Sequence, residues 1–179
     1  MKRIFLLAAI IAPMIWTACS GNKTDTTEDI VPKGMKALDL KWMGYPVKIN
    51  VPDSNFFPTI DSSATPNGAE IRIGQHFDIL VNFATAEDAN LEKQKGLLAA
   101  TDAGVSTVTF SDSSSLVWET KFGDAAFQHF IYLVKIGKDT YFVRDNNNNP
   151  DNQFKKADID KMIETAKSLR ARPVDPPKA

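Results

Sequence analysis

Side chains able to do chemistry are few and scattered along this 179-residue chain. It has two histidines, His76 and His129, and one cysteine, Cys19. Two histidines without a matching carboxylate motif argue against a metal site or a general-base pair. Asp145, Asn147 and Asn149 offer oxygen ligands at alternate positions, as a calcium loop does at its first, third and fifth places. Pro150 then stands where such a loop needs Gly, and Lys156 where it needs a bidentate Glu. The segment therefore reads as a solvated loop, with a weak calcium site of other ligands as its rival. Ser111 to Ser115 is a polar turn without the strained Gly-x-Ser-x-Gly setting of a serine nucleophile. Glycine-rich phosphate loops are missing as well. No catalytic residue is assigned and no cofactor is implied.

Aromatic residues give the one positive cue for binding. Trp42, Tyr45, Phe56 and Phe57 fall close together in the N-terminal part. Asn55-Phe56-Phe57-Pro58 is bounded by turn formers, and two adjacent Phe cannot both face one core from a strand. Exposed aromatics in loops anchor partners. The expectation is that Trp42 to Phe57 forms the rim of a binding groove. The competing reading is that these rings close the open end of the fold.

Cys19 has a distinctive approach. Lys2 and Arg3 precede an apolar run from Ile4 to Trp16, which leads into Thr17-Ala18-Cys19. The run is about a dozen residues, contains Pro13 and is followed by the polar Ser20 to Asp29, so it is too short for a spanning helix of about 20 residues. The segment resembles a bacterial lipoprotein signal peptide, with a charged n-region, a short h-region and small residues ahead of a cysteine. Trp16 stands where that pattern usually has Leu. Simple secretion is the first alternative, disfavoured because cleavage before Cys19 puts Trp16 three positions back. A buried N-terminal helix is the other.

The resemblance implies residues 1–18 as signal peptide and Cys19 as lipidation site and mature N-terminus. Two or three acyl chains hold a protein stably on one leaflet. No Asp follows Cys19, so the common inner-membrane retention signal is absent and the outer membrane is the expected address. Residues 19–34 form the lipidated Cys and a flexible tether, whose polar stretch from Ser20 to Asp29 has a mean reach of about 20 Å. Losing residues 1–18 removes Lys2 and Arg3 and no acid, leaving 19 basic against 22 acidic side chains, a net charge of -3. No basic field is left to attract nucleic acid.

Residues 35–170 suffice for a single domain with its own core. Val47, Ile49 and Val51 alternate with Lys48 and Asn50, predicting a half-buried strand that stops at Pro52-Asp53. Ile71 and Ile73, then Phe77, Ile79, Val81 and Phe83, predict two strands joined by a turn at Gly74-Gln75-His76. Thr85-Ala86-Glu87-Asp88 is a capping-box-like start, predicting a helix from there to about Ala100. Three strands follow at Val105–Phe110, Leu116–Phe122 and Phe127–Ile136. The last is apolar on both faces and is expected at the centre of the sheet. Gly137-Lys138-Asp139 turns it into Thr140–Val143. Ile159, Met162, Ile163, Ala166 and Leu169 fall at helical spacing and predict a closing helix. Residues 171–179 hold three prolines and read as an extended tail.

Strands, helix, meander and terminal helix imply an α+β domain, an antiparallel β-sheet flanked by helices. Leu40 to Pro52, the helix after Phe83, the pair Phe130–Ile136 and Tyr141–Arg144, and the closing helix resemble the PsbP-like α/β/α sandwich of small envelope lipoproteins. That fold hosts binding and accessory proteins, so the resemblance carries over no catalytic residue. The expected function is a membrane-tethered binding or accessory module, its partner an envelope protein or a small-molecule ligand. The alternative is an envelope hydrolase or transferase whose site is assembled from scattered Asp, Glu and His.

Overall fold

Ten antiparallel strands, the longer ones rich in Val, Ile, Phe and Tyr, form among the residues described in the computed structural model, 31–56, 58–61, 68–99, 104–147 and 153–173. β1 (Met35–Asp39) and β2 (Val47–Pro52) flank a single 3-10 turn at Lys41–Met43. β3 (Thr59–Asp61), β4 (Gly68–Arg72) and β5 (Asp78–Phe83) lead to helix α1 (Leu91–Ala99). The meander β6 (Val105–Ser111), β7 (Ser115–Phe122), β8 (Ala125–Ile136) and β9 (Asp139–Asp145) comes next. Helix α2 (Lys156–Lys167) and the short β10 (Arg170–Ala171) close the order. None of these helices is long and apolar enough to cross a membrane.

Seven strands form one sheet in the order β3-β4-β5-β9-β8-β7-β6, and β1-β2-β10 form a second. The predicted central strand, β8, has the expected two covered faces, but its neighbour β9 holds the middle position. Phe130, Tyr132, Val134 and Ile136 of β8 point to the larger core, and Ile131 and Leu133 to a smaller cluster on the opposite face. The larger core gathers Val47, Ile49 and Val51 of β2, Ile71, Ile79, Val81 and Val143 of the long sheet, and Ile159, Met162 and Ala166 of α2. Each fully buried Ile, Val or Met there contributes about 1.5–3 kcal/mol. On the other face, Leu91 and Leu98 of α1 meet Leu116, Ile131 and Phe142. The domain is thus mixed α+β and antiparallel, with a helix on each face of the long sheet.

The first helix starts later than its sequence predicts. The capping-box bonds do form: the Thr85 N–H donates to Asp88 Oδ2 at 2.9 Å, and the Asp88 N–H donates to Thr85 Oγ1 at 3.2 Å. They close an isolated turn, because Thr85 to Asn90 has no apolar face to hold against the sheet. The helix begins at Leu91, where the Asn90 side chain accepts the Lys93 N–H at 3.0 Å and Leu91 buries.

The C-terminal end is bound into the small sheet. Ser168 Oγ accepts the Asn50 N–H at 2.7 Å, Arg170 Nη1 donates to Asn50 Oδ1 at 2.9 Å, and Arg172 Nε donates to Asp39 Oδ2 at 2.7 Å. Arg170 and Ala171 pair with Lys48 and Val47. These contacts fix where α2 ends and therefore which part of the long sheet it covers.

Candidate functional site

Helix α2 packs over β8 and β9 and against β2, and it leaves the outer strands β6 and β7 uncovered on that face. The result is a groove of about 780 Å³ between the helix and the sheet margin. Ligand pockets are commonly about 300–1,000 Å³. Phe110, Val117 and Tyr132 form its sheet side, and Ile159 and Ile163 its helix side. β-strand alternation explains the first three: Phe110 pairs with Val117, and Val117 with Phe130, so these side chains share the face that carries the larger core. Phe110 is 54% exposed although it sits in a strand.

Charges edge this apolar floor. Asp112, Glu119, Asp160 and Glu164 supply four carboxylates against Lys156 and Lys167. Lys156 Nζ is already paired with Asp160 Oδ2 at 2.7 Å. Glu119 accepts from Gln128 Nε2 at 2.5 Å and lies 3.2 Å from Lys121 Nζ. Donation from the Ser114 N–H, reinforced by the Ser115 hydroxyl and N–H, holds the Asp112 carboxyl below the usual carboxylate range. Glu164 has no ion-pair partner among the described residues.

The four aromatic residues predicted to make one rim are not brought together. Trp42 is 64% exposed beside the N-terminal end of β2, and Phe56 is 65% exposed beyond its C-terminal end. Six residues of strand separate those ends by about 20 Å. Tyr45 is buried: its ring stacks on Phe83 at 5.0 Å between centroids, Phe83 lies 5.1 Å from Tyr141, and burial pushes the Tyr45 hydroxyl up. Tyr45 therefore takes the competing role of closing the fold. Phe57 lies outside the described residues, as do Cys19, expected from the sequence to be lipidated, Asn149 and residues 174–179 of the tail.

Asp145 faces inward rather than into a loop. Its Oδ1 accepts the Phe130 N–H at 2.8 Å and its Oδ2 lies 2.8 Å from His129 Nδ1. The first oxygen of the predicted calcium set is thus spent on strand β8. The same bond gives His129 an acid partner that spacing could not reveal, and Trp118 stacks on the imidazole at 5.2 Å. Among the described residues no hydroxyl bonds to its other ring nitrogen, so the pair orients a ring without defining a reaction. His76 is exposed, 3.8 Å from Asp158 Oδ2.

A second ionic cluster lies on β4 and β5. Arg72 donates through Nε to Asp78 Oδ2 at 2.8 Å and through Nη2 to Glu70 Oε1 at 2.5 Å. Burial pushes Asp78 up to about 6, opposed by the Arg72 hydrogen bond and assisted by the Glu70 charge. None of the three lines the groove.

No family model matches the sequence, and no curated protein matches it. Among the described residues no group of three or more His, Cys, Asp or Glu could hold a metal ion.

Proposed function

We propose that this chain is a lipid-anchored lipoprotein of the cell envelope, held at the outer membrane through Cys19, whose domain is a PsbP-like α/β/α sandwich. It acts as a binding or accessory module, and the groove between α2 and β6–β8 is its ligand site. The observation that carries this reading is the apolar floor beside a helix, in which Phe110 is exposed and Val117, Tyr132 and Ile163 are half-buried. Contiguous exposed apolar patches rimmed by polar residues mark interaction sites. The hydrolase alternative would centre on Asp78, the carboxyl most strongly raised, or on His129 with Asp145.

Two measurements test the proposal. Mass spectrometry of the native N-terminus should find an acylated Cys19, and Cys19→Ser should release the protein from the membrane fraction; an unmodified thiol refutes the anchor. For the groove, indole is titrated into the full chain in lipid nanodiscs with Ile, Leu and Val methyl groups labelled. The Ile163 and Val117 signals should move while Leu91, on the opposite face, stays still. Unmoved Ile163 and Val117 signals refute the site.

A further inference from the structure

We propose that an extended polypeptide segment, carrying both apolar and basic residues at the alternate positions that face the groove, adds to the sheet as a new strand along β6 at the groove's open margin. This rests on the groove being the ligand site and names what enters it. Among the described residues β6 is the terminal strand of the long sheet, so its alternate residues present N–H and C=O groups outward without a strand partner there, a template for strand addition. Its sequence, Val105-Ser106-Thr107-Val108-Thr109-Phe110-Ser111, has none of the charges or prolines that usually protect an edge. Val105 is 71% exposed, and Val108 and Phe110 are exposed too. Thr109 and Phe110 line the groove, so a strand laid along this edge would place every second side chain beside the apolar floor, on the face that carries the acidic rim.

The chemistry of the edge favours a flexible segment over a second copy of this chain. The register shifts between Val108 and Phe110, and the extra residue, Thr109, donates its Oγ1 to the Val117 carbonyl at 3.2 Å. A bulge there bends the strand, so two β6 strands related by a twofold axis would break their ladder in the middle. A flexible peptide adapts to the bend. Self-pairing would also bring two acidic rims together. The four carboxylates of the rim, Asp112, Glu119, Asp160 and Glu164, outnumber Lys156 and Lys167, and this negative excess complements a basic partner.

Three nine-residue peptides test this on the full chain in nanodiscs: one with Val and Lys by turns at the odd positions and Thr between them, one with Glu in place of each Lys, and the Val/Lys peptide N-methylated at alternate residues along one edge. Fluorescence anisotropy gives affinity, and hydrogen exchange reports β6. The Val/Lys peptide should bind and slow exchange of β6 amides. The Val/Glu and N-methylated peptides should each bind at least about tenfold more weakly. Asp160→Lys with Glu164→Lys, on the exposed face of α2 where folding is not at stake, should weaken the Val/Lys peptide by a similar factor. Equal binding of the N-methylated peptide, or unchanged β6 exchange, overturns strand addition. If no peptide binds while indole still shifts Ile163, the partner class is wrong and the groove survives; if indole also fails, the proposed site falls with it. A peptide-free dimer with protected β6 amides gives the edge to a second copy and overturns the proposal.

Discussion

Asp78 makes the stability of this domain depend on pH in an unusual direction. Its carboxyl is buried at the start of β5 and shares the Arg72 guanidinium with Glu70. Desolvation raises it, the Arg72 bond pulls against that, and the Glu70 charge adds to the rise, leaving it at about 6 against 3.8 for the free side chain. The folded protein therefore binds this proton more tightly than the unfolded chain does. The corresponding stabilisation is complete below about pH 3.8 and is lost as pH rises through about 6. At about 1.36 kcal/mol per pH unit, the full difference is about 3 kcal/mol, of which about 2–3 kcal/mol falls between pH 7.5 and pH 4. Asp78→Asn cannot titrate, so subtracting its stability isolates this one group from every other carboxylate. Urea denaturation followed by circular dichroism at several pH values should show wild type gaining those 2–3 kcal/mol on the variant as pH falls. A flat difference, or one tilting the opposite way, would mean that the Arg72 pair outweighs burial.

Other substitutions probe the packing by the same urea midpoints. Met162→Ala empties the centre of the α2 interface, where Met162 is fully buried, and should cost about 2–5 kcal/mol. Asp145→Ala leaves the buried Phe130 N–H without an acceptor and should cost about 1–3 kcal/mol, whereas Asp145→Asn, which keeps an oxygen there, should cost less. Gly104→Ala must hold φ near +147° and bring its Cβ to 2.9 Å from the Lys121 carbonyl, so a loss of about 1–3 kcal/mol is expected. A midpoint equal to wild type in any of the three would contradict the contact on which it rests.

Strands were legible wherever one face is buried, because a period of two is then written in the residue types. β2, β4, β5 and β9 follow that rule, β8 reads instead as a run apolar on both faces, and the closing helix is readable from Ile159, Met162, Ala166 and Leu169. β1, β3 and β10 carry no such signal. β1 and β10 are held by backbone pairing with β2 and by ion pairs such as Arg172 with Asp39, which join residues 133 positions apart, and β3 by pairing with β4. The start of α1 was misplaced because capping residues record a local bond, whereas a helix also needs an apolar face. The site was the hardest part to read. Adjacent aromatics suggested Trp42 and Phe56, but proximity along a chain means little when six residues of strand intervene. Phe110, Val117, Tyr132 and Ile163 look in sequence like ordinary core positions.

What turns those core-like residues into a groove is a mismatch of widths. Seven strands at about 4.8 Å spacing span about 29 Å, while one helix covers about 10–12 Å and a three-stranded sheet adds about 10 Å between its outer strands. The cover falls short by about two strands, and the clamp of Ser168 and Arg170 on Asn50 decides which two by holding α2 toward β2. The uncovered pair, β6 and β7, still carries the apolar residues of a core-facing strand, since their alternation continues the pattern of β8. A binding surface thus arises without any special motif, from an ordinary sheet wider than the layer that covers it. Lengthening α2 would extend the helix along its axis and leave this gap open; closing it takes a further element laid over β6 and β7.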